Sequence, residues 1–126
     1  MKLSEQQSDF LWMVHDLLTW VHPIISTSDV ILKVVEWNRT IETQRKYLEK
    51  RLTRTLRSKH LQGLAVDFAV IKNGKYLTSS PVYDLMGIHW QNIGGKWGGE
   101  WDGEWDIYDP YHFQYNIERR QKVREP

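Results

Sequence analysis

A chain of 126 residues has room for one buried core and too little for two, so it is expected to form a single domain over 1–126. With 40% hydrophobic and 13% aromatic residues it reads as globular, and a formal net charge of +1 argues against whole-molecule attraction to nucleic acid. Zero cysteines exclude disulfides, thiolate catalysis and cysteine-ligated zinc, so any metal must be held by His, Asp or Glu.

The first 24 residues, MKLSEQQSDFLWMVHDLLTWVHPI, lack a basic n-region and a small-residue cleavage site, and His15, Asp16 and His22 interrupt the apolar run. Neither a signal peptide nor a membrane span is expected. Ser4 and Gln7 have capping-box spacing, and Phe10, Met13, Val14, Leu17, Leu18 and Val21 recur on one helical face until Pro23, where the helix should stop. VILKVVEWN, residues 30–38, is β-branched and reads as a strand. Asn38 or Thr40 then caps a second helix with Ile41, Leu48 and Leu52 on one side.

In SKHLQGLAVDF, residues 58–68, Gly63 allows a tight entry into a strand. Strand alternation sends Leu64, Val66, Phe68 and Val70 to the core and Ala65, Asp67 and Ala69 to the other face. A lone carboxylate among alanines needs a cation, and its small neighbours leave space for one and for a substrate. His60 lies just upstream and is able to converge on the same point. His89 shares a helical side with Val82, Leu85, Met86 and Ile93 and reads as a satisfied, half-buried histidine. His15 and His22, seven apart, lack the four-residue spacing of helical zinc pairs.

GGKWGGEWDGEW, residues 94–105, has glycines every few positions, each costing a helix ~1 kcal/mol relative to alanine, so it reads as a loop or distorted hairpin. Its tryptophans either wall a cleft or lid the core. The alternating acids 100–106 lack the glycine and the final Glu of a calcium loop. In YDPYHFQY, residues 108–115, a strand after the Asp109-Pro110 turn turns Phe113 and Tyr115 to the core and faces His112 and Gln114 with Asp67. Two histidines and an aspartate then share one cleft. Spacing alone leaves two readings: an ordinary sheet with two hydrogen-bonded histidines, or three ligands of a tetrahedral zinc with a fourth position open for catalysis.

Charge is balanced globally and segregated locally. Residues 45–59 carry seven Lys or Arg against one acid, and residues 100–109 five acids and no base. Two solvated faces explain this more simply than substrate steering. Residues 117–126 read as a frayed basic tail.

Two separated motifs carry a family resemblance. S-x-H-x-x-G-x-A-x-D (Ser58, His60, Gly63, Ala65, Asp67), followed by D-x-x-H-F (Asp109, His112, Phe113), resembles the zinc D-alanyl-D-alanine carboxypeptidases and L-alanyl-D-glutamate endopeptidases, phage endolysins among them. EWNRTIETQ at 36–44 and WGGEW at 97–101 extend the likeness over about residues 35–115. The resemblance implies an α+β domain of the Hedgehog/DD-peptidase type, with helices packed on a small, mainly antiparallel sheet. It implies zinc (Zn) held by His60, Asp67 and His112, with Asp109 as general base in place of the Glu of some relatives. Glu104 and Asp106 are the rival bases. Arg39 is implied as the electrostatic partner of substrate carboxylate or oxyanion, its simpler role being a surface salt bridge with Glu36 or Glu42. Ser58 is expected to bind substrate or to support the ligand loop, and Gln44 to reach the cleft unless it is a surface amide.

The implied substrate is the peptidoglycan stem peptide, cut at L-Ala–D-Glu or, as the rival, at its terminal D-Ala. A zinc-bearing wall-binding module is the non-catalytic alternative. The expected protein is a monomer made in the host cytoplasm without a signal peptide, released to act on the wall, with no membrane insertion.

Overall fold

The computed structural model describes residues 1–51, 58–100 and 108–119. Helix α1 (Leu3–Ile25) is followed by strand β1 (Val30–Glu36) and helix α2 (Ile41–Glu49). A 3-10 turn (Lys59–Gln62) leads into β2 (Ala65–Lys72) and the short β3 (Lys75–Tyr76). Helix α3 (Pro81–Asn92), β4 (Lys96–Trp97) and β5 (His112–Gln114) complete the described elements. Among the described residues the strands form one antiparallel sheet in the order β1-β2-β5-β4, with β3 also paired to β2. The fold is α+β.

Strand β2 is central because its sequence is apolar on both faces. Leu64, Val66, Phe68 and Val70 are buried as alternation required, but Ala65 and Ala69 on the opposite face are buried too. The core adds Phe10, Met13, Val14, Leu17 and Val21 from α1, Met86 and Trp90 from α3, and Phe113 and Tyr115. Trp90 is fully buried, and its indole N–H is satisfied by the carbonyls of Lys96 (3.1 Å) and Gln114 (3.0 Å), which ties α3 to the β4-β5 edge.

Several local expectations are corrected. Helix α1 starts at the N-cap Lys2, which gives no side-chain cap, so Ser4 and Gln7 are no capping box. Gln7 instead donates to the Gln62 carbonyl at 2.7 Å. Pro23 does not end the helix. It removes a single N–H near the C-terminus, and the Ser26 N–H to His22 carbonyl bond (2.9 Å) closes the last turn beyond it. Leu18 is exposed rather than on the packed stripe. Strand β1 stops at Glu36, before residues 37 and 38.

Thr40 caps α2 by accepting from the Thr43 N–H at 3.1 Å, which settles the choice between it and Asn38. The apolar side expected for α2 is not its buried side: Ile41 and Leu48 are exposed, while Gln44 is buried. Leu52 lies outside the described residues. His89 is part-buried, donates through Nε2 to the Asp16 carboxylate at 2.8 Å and stacks on Trp20, a satisfied contact between α3 and α1, although Leu85 on its side of the helix is exposed.

Trp97 lids the core and donates to the Pro110 carbonyl at 2.9 Å. Trp101, Trp105, Glu104, Asp106 and the acidic run at 101–107 lie outside the described residues. Within the expected basic tail, Arg119 docks on α1 by pairing with Asp9 and donates to the Ile93 carbonyl at 2.8 Å. Residues 120–126 lie outside the described residues. Among those described, no helix is long and apolar enough to cross a membrane.

Candidate metal centre

The central strand sets the site. Antiparallel pairing puts Asp67 opposite His112 of β5 on one side, and an irregularity after Val34 puts Glu36 of β1 opposite it on the other. His60 arrives from the 3-10 turn. The Ser58 hydroxyl caps that turn by accepting from the His60 N–H (3.2 Å), and Gly63 ends it in the left-handed region at φ +67°. A Cβ at Gly63 would stand 2.8 Å from Asn38 Oδ1, so close approach as well as conformation requires glycine there.

His60, Asp67 and His112 converge. One donor atom from each lies within 4.8 Å of the other two. His112 Nδ1 is 2.9 Å and His60 Nε2 3.3 Å from the same oxygen, Asp67 Oδ1. Ligands ~2.0–2.2 Å from a tetrahedral zinc are separated by roughly 3.3 Å, so the His60–Asp67 edge already has the required length, and the His112–Asp67 edge, at hydrogen-bond length, is a few tenths of an ångström short of it.

Each imidazole is oriented from behind. His60 Nδ1 faces the Trp37 carbonyl at 3.0 Å, an acceptor only, so Nδ1 carries the proton and the lone pair of Nε2 faces Asp67. His112 Nε2 meets Gln114 Oε1 at 3.0 Å, leaving Nδ1 on the Asp67 side. His60 Nε2 is the telling atom: it is buried and, among the described residues, has no hydrogen-bond partner of adequate geometry. Such an atom costs stability unless something outside the chain completes it. A divalent ion with nitrogen and oxygen preference fits this donor set.

The charges of the cluster shift one another. Burial pushes the Asp67 carboxyl up, but the hydrogen bond with His112, the contact with His60 and their charge outweigh it and hold it at about 2. Burial pulls His112 down, and its bond to Asp67 and the charges of Asp67 and Asp109 more than reverse this, raising it.

Asp109 stands beside the cluster, within electrostatic reach of His112, Asp67 and His60. Burial is the main cause of its raised pKa, and the Tyr111 backbone N–H bonded to its carboxylate holds the short side chain in place. Its backbone is pinned as well. The Asp109 N–H donates to the Gly98 carbonyl (2.9 Å) and the His112 N–H to the Asp109 carbonyl (3.2 Å). A Cβ at Gly98 would collide with the Asp109 carbonyl oxygen, so the glycine-rich segment exists here to let that strand of chain approach.

Arg39, Gln44 and Ser58 form a second, adjoining cluster. Arg39 pairs with Glu36 and donates through Nη1 to Gln44 Oε1 (2.6 Å) and Ser58 Oγ (3.3 Å), while its guanidinium lies 4.7 Å from the Tyr47 ring centre. The salt bridge with Glu36 is therefore present but not on the surface, the two side chains being 10% and 19% exposed. Gln44 is a fully buried amide rather than a surface one, because the guanidinium gives its oxygen a charged donor. Ser58 supports the ligand turn. The Tyr47 hydroxyl donates to Glu36 Oε2 at 3.2 Å, and Glu36 Oε1 lies 3.9 Å from His60 Nδ1, so this cluster backs the first.

Four contributors escaped the sequence: Gln114 as a partner of His112, the Trp37 carbonyl, Glu36 as hub, and Tyr47. Gln114 carried a signal, being two residues from His112 on the same strand face, and Glu36 was legible as a partner of Arg39 but not as a neighbour of His60. The others depend on a backbone atom or on the fold of β1 against α2.

Fold and site together describe an α+β domain with a three-donor His-Asp-His centre and a half-buried carboxylate beside it. A family profile described as "Phage L-alanyl-D-glutamate peptidase" matches residues 1–115, and the chain belongs to that family. Among solved structures it is similar to the Serratia marcescens L-Ala D-Glu endopeptidase ChiX, at 27% sequence identity and a TM-score of 0.67 over 86% of this chain and 79% of that one. No curated protein matches the chain.

Proposed function

We propose that this chain hydrolyses the L-alanyl-D-glutamate bond of the peptidoglycan stem peptide, using a zinc ion held by His60 Nε2, Asp67 and His112 Nδ1. The observation that carries the metal is the buried, unpartnered Nε2 of His60 beside Asp67 and His112. The choice of bond rests on family membership and on the printed activity of the Serratia neighbour, and these favour it over removal of terminal D-Ala.

When bound, zinc supplies Lewis-acid activation, lowering the pKa of a coordinated water from ~16 towards ~7. The chain supplies the rest. Asp109 accepts the proton of the attacking water as its oxygen bonds to the L-Ala carbonyl carbon. It then delivers that proton to the D-Glu nitrogen as the C–N bond breaks. A carboxyl raised by burial and steadied by the Tyr111 N–H is suited to both halves of this transfer.

Arg39 stands behind His60 beside Glu36, and from there its positive charge helps to steady the carbonyl oxygen as it gains charge. Ser58 and Gln44 hold that guanidinium in place and offer polar contacts to the peptide. The working protein is a monomer that acts on the cell wall as an endolysin, without nucleic acid and without inserting into membrane.

The test is digestion of permeabilised cells and purified walls with and without a chelator. Lysis should stop on chelation and return with added zinc, and mass spectrometry should find new amino-terminal D-Glu. Loss of one D-Ala instead would assign a carboxypeptidase. Binding to walls without release of amines, equally strong in Asp109→Ala, would assign a non-catalytic module.

A further inference from the structure

A cavity of ≈ 240 Å³ opens directly beside the metal centre, and Asp67 belongs to both. It continues along β2, from Asp67 to Ala69 two residues on, and is walled by Val35, Tyr76, Leu77, Thr78 and Tyr111. Since ~10–15 Å³ is enough to admit one water, this space takes a group much larger than the methyl of alanine.

Its chemistry is one-sided. Apart from the tyrosine phenols, Asp67 is the only ionisable side chain that the described residues give to the lining. Those phenols are engaged by protein groups. Tyr83 donates to the Leu77 carbonyl (2.9 Å) and accepts from the Val70 N–H (2.8 Å), Tyr111 donates to the Thr78 carbonyl (3.3 Å), and Tyr76 accepts from Lys33 Nζ (3.2 Å). What they present to the cavity is ring carbon. Arg39, with Glu36, Gln44 and Ser58, adjoins His60 and is absent from the lining.

The two halves of the stem peptide differ in the same way. On the acyl side of the scissile bond, L-Ala is amide-linked to the lactyl ether of muramic acid and carries no charge. On the amine side, γ-linked D-Glu carries a free carboxylate. A carboxylate lodged here would give up its water to a lining that is mostly aliphatic and ring carbon, a cost that an uncharged group does not carry. We propose that the cavity is the subsite for the acyl half, holding the L-Ala methyl and the lactyl-muramyl group against Ala69, Tyr76 and Tyr111, and that the charged half lies outside it. This rests on the hydrolytic reading above and adds a substrate direction to it.

Val35 and Tyr76 are 57% and 59% exposed, so Val35→Trp, which fills the mouth, and Tyr76→Ala, which removes a wall, leave the core untouched. The probes are N-acetylmuramyl-L-alanine methylamide, which keeps the acyl half uncharged, and γ-D-glutamyl-diaminopimelate, titrated into zinc-loaded and into metal-free protein and followed by amide NMR. The muramyl compound should shift Ala69, Leu77 and Thr78 in both forms. Each variant should weaken that binding about tenfold, ~1.4 kcal/mol, and raise KM for wall fragments more than it lowers kcat. The assignment is overturned if the glutamyl compound shifts those amides, or if both variants bind the muramyl compound as tightly as the parent. Wall digests decide what fails: if the parent protein creates D-Glu amino-termini but the variants change nothing, the subsite alone is lost. If it creates none, subsite and hydrolytic reading fall together.

Discussion

At the residue scale, Asp109 and Asp67 show how one carboxylate is made reluctant to ionise and another eager, a few ångströms of environment apart. Asp109 is raised mainly by burial, so its folded pKa lies above the unfolded one. It therefore favours the folded state most at pH below its ordinary value of 3.8, and this contribution is lost as pH rises through the folded value. Asp109→Asn should accordingly raise the melting temperature of the metal-free protein at neutral pH while lowering kcat by ~10²–10⁴-fold with zinc content unchanged. A variant that loses zinc as well would make Asp109 a ligand rather than a base. For the Asp67–His112 pair the signs oppose. Asp67 is depressed from 3.8 to about 2, so its contribution is present above 3.8 and lost as pH falls through 2. His112 is raised from 6.5, so its contribution is present below 6.5 and lost as pH rises through the raised value. The pair should stabilise metal-free protein most between pH 3.8 and 6.5, read as the gap in melting temperature between wild type and Asp67→Asn. A gap that keeps growing above that window would contradict the pairing.

At the element scale, the site depends on short irregular pieces more than on long regular ones. The 3-10 turn of Lys59–Gln62 is capped by Ser58, ended by Gly63 and bonded through the His60 carbonyl to the Arg39 N–H at 3.1 Å. Gly63→Ala forces a side chain into the left-handed region and against Asn38, and should cost ~1–2 kcal/mol in urea denaturation with weaker zinc binding. Unchanged zinc affinity would show that the turn does not govern where His60 points. Sequence made β2 and β5 legible, since alternation there separates core from site at Phe68 and Asp67, and at Phe113 and His112. It misjudged α2, whose apolar residues are exposed while Gln44 is buried. Periodicity measures which side is greasy, and the partner of this side, an arginine presented by the preceding loop, is invisible to it.

At the scale of the whole molecule, the sheet is the framework on which residues 45 positions apart become neighbours, as His112 Nδ1 and Asp67 Oδ1 are. The core that surrounds it is built from α1, α3 and three of the strands, and the charged donors cluster at one face of β2. A site assembled from residues 60–67 and the distant His112 exists only when the chain is folded, so the proposed zinc would be linked to stability. At free zinc about 1,000-fold above Kd the gain is ~4 kcal/mol, and the melting temperature should rise by roughly 10–20 °C. A calorimetric scan with no zinc-dependent shift would remove the metal from the mechanism.

By itself the sequence named the candidate donors. Absence of cysteine restricted the ligand types, strand alternation gave His112 and Asp67 a common face, and the two motifs set their order along the chain. What it left open was whether spacing meant convergence, because two hydrogen-bonded histidines in a sheet have the same pattern. Only the tertiary structure decided that His60 Nε2 is buried without a partner, that Trp37 and Gln114 set the ring orientations, and that an apolar cavity adjoins Asp67. These are relations between backbone atoms and surfaces of segments far apart in the chain, and no local residue pattern encodes them.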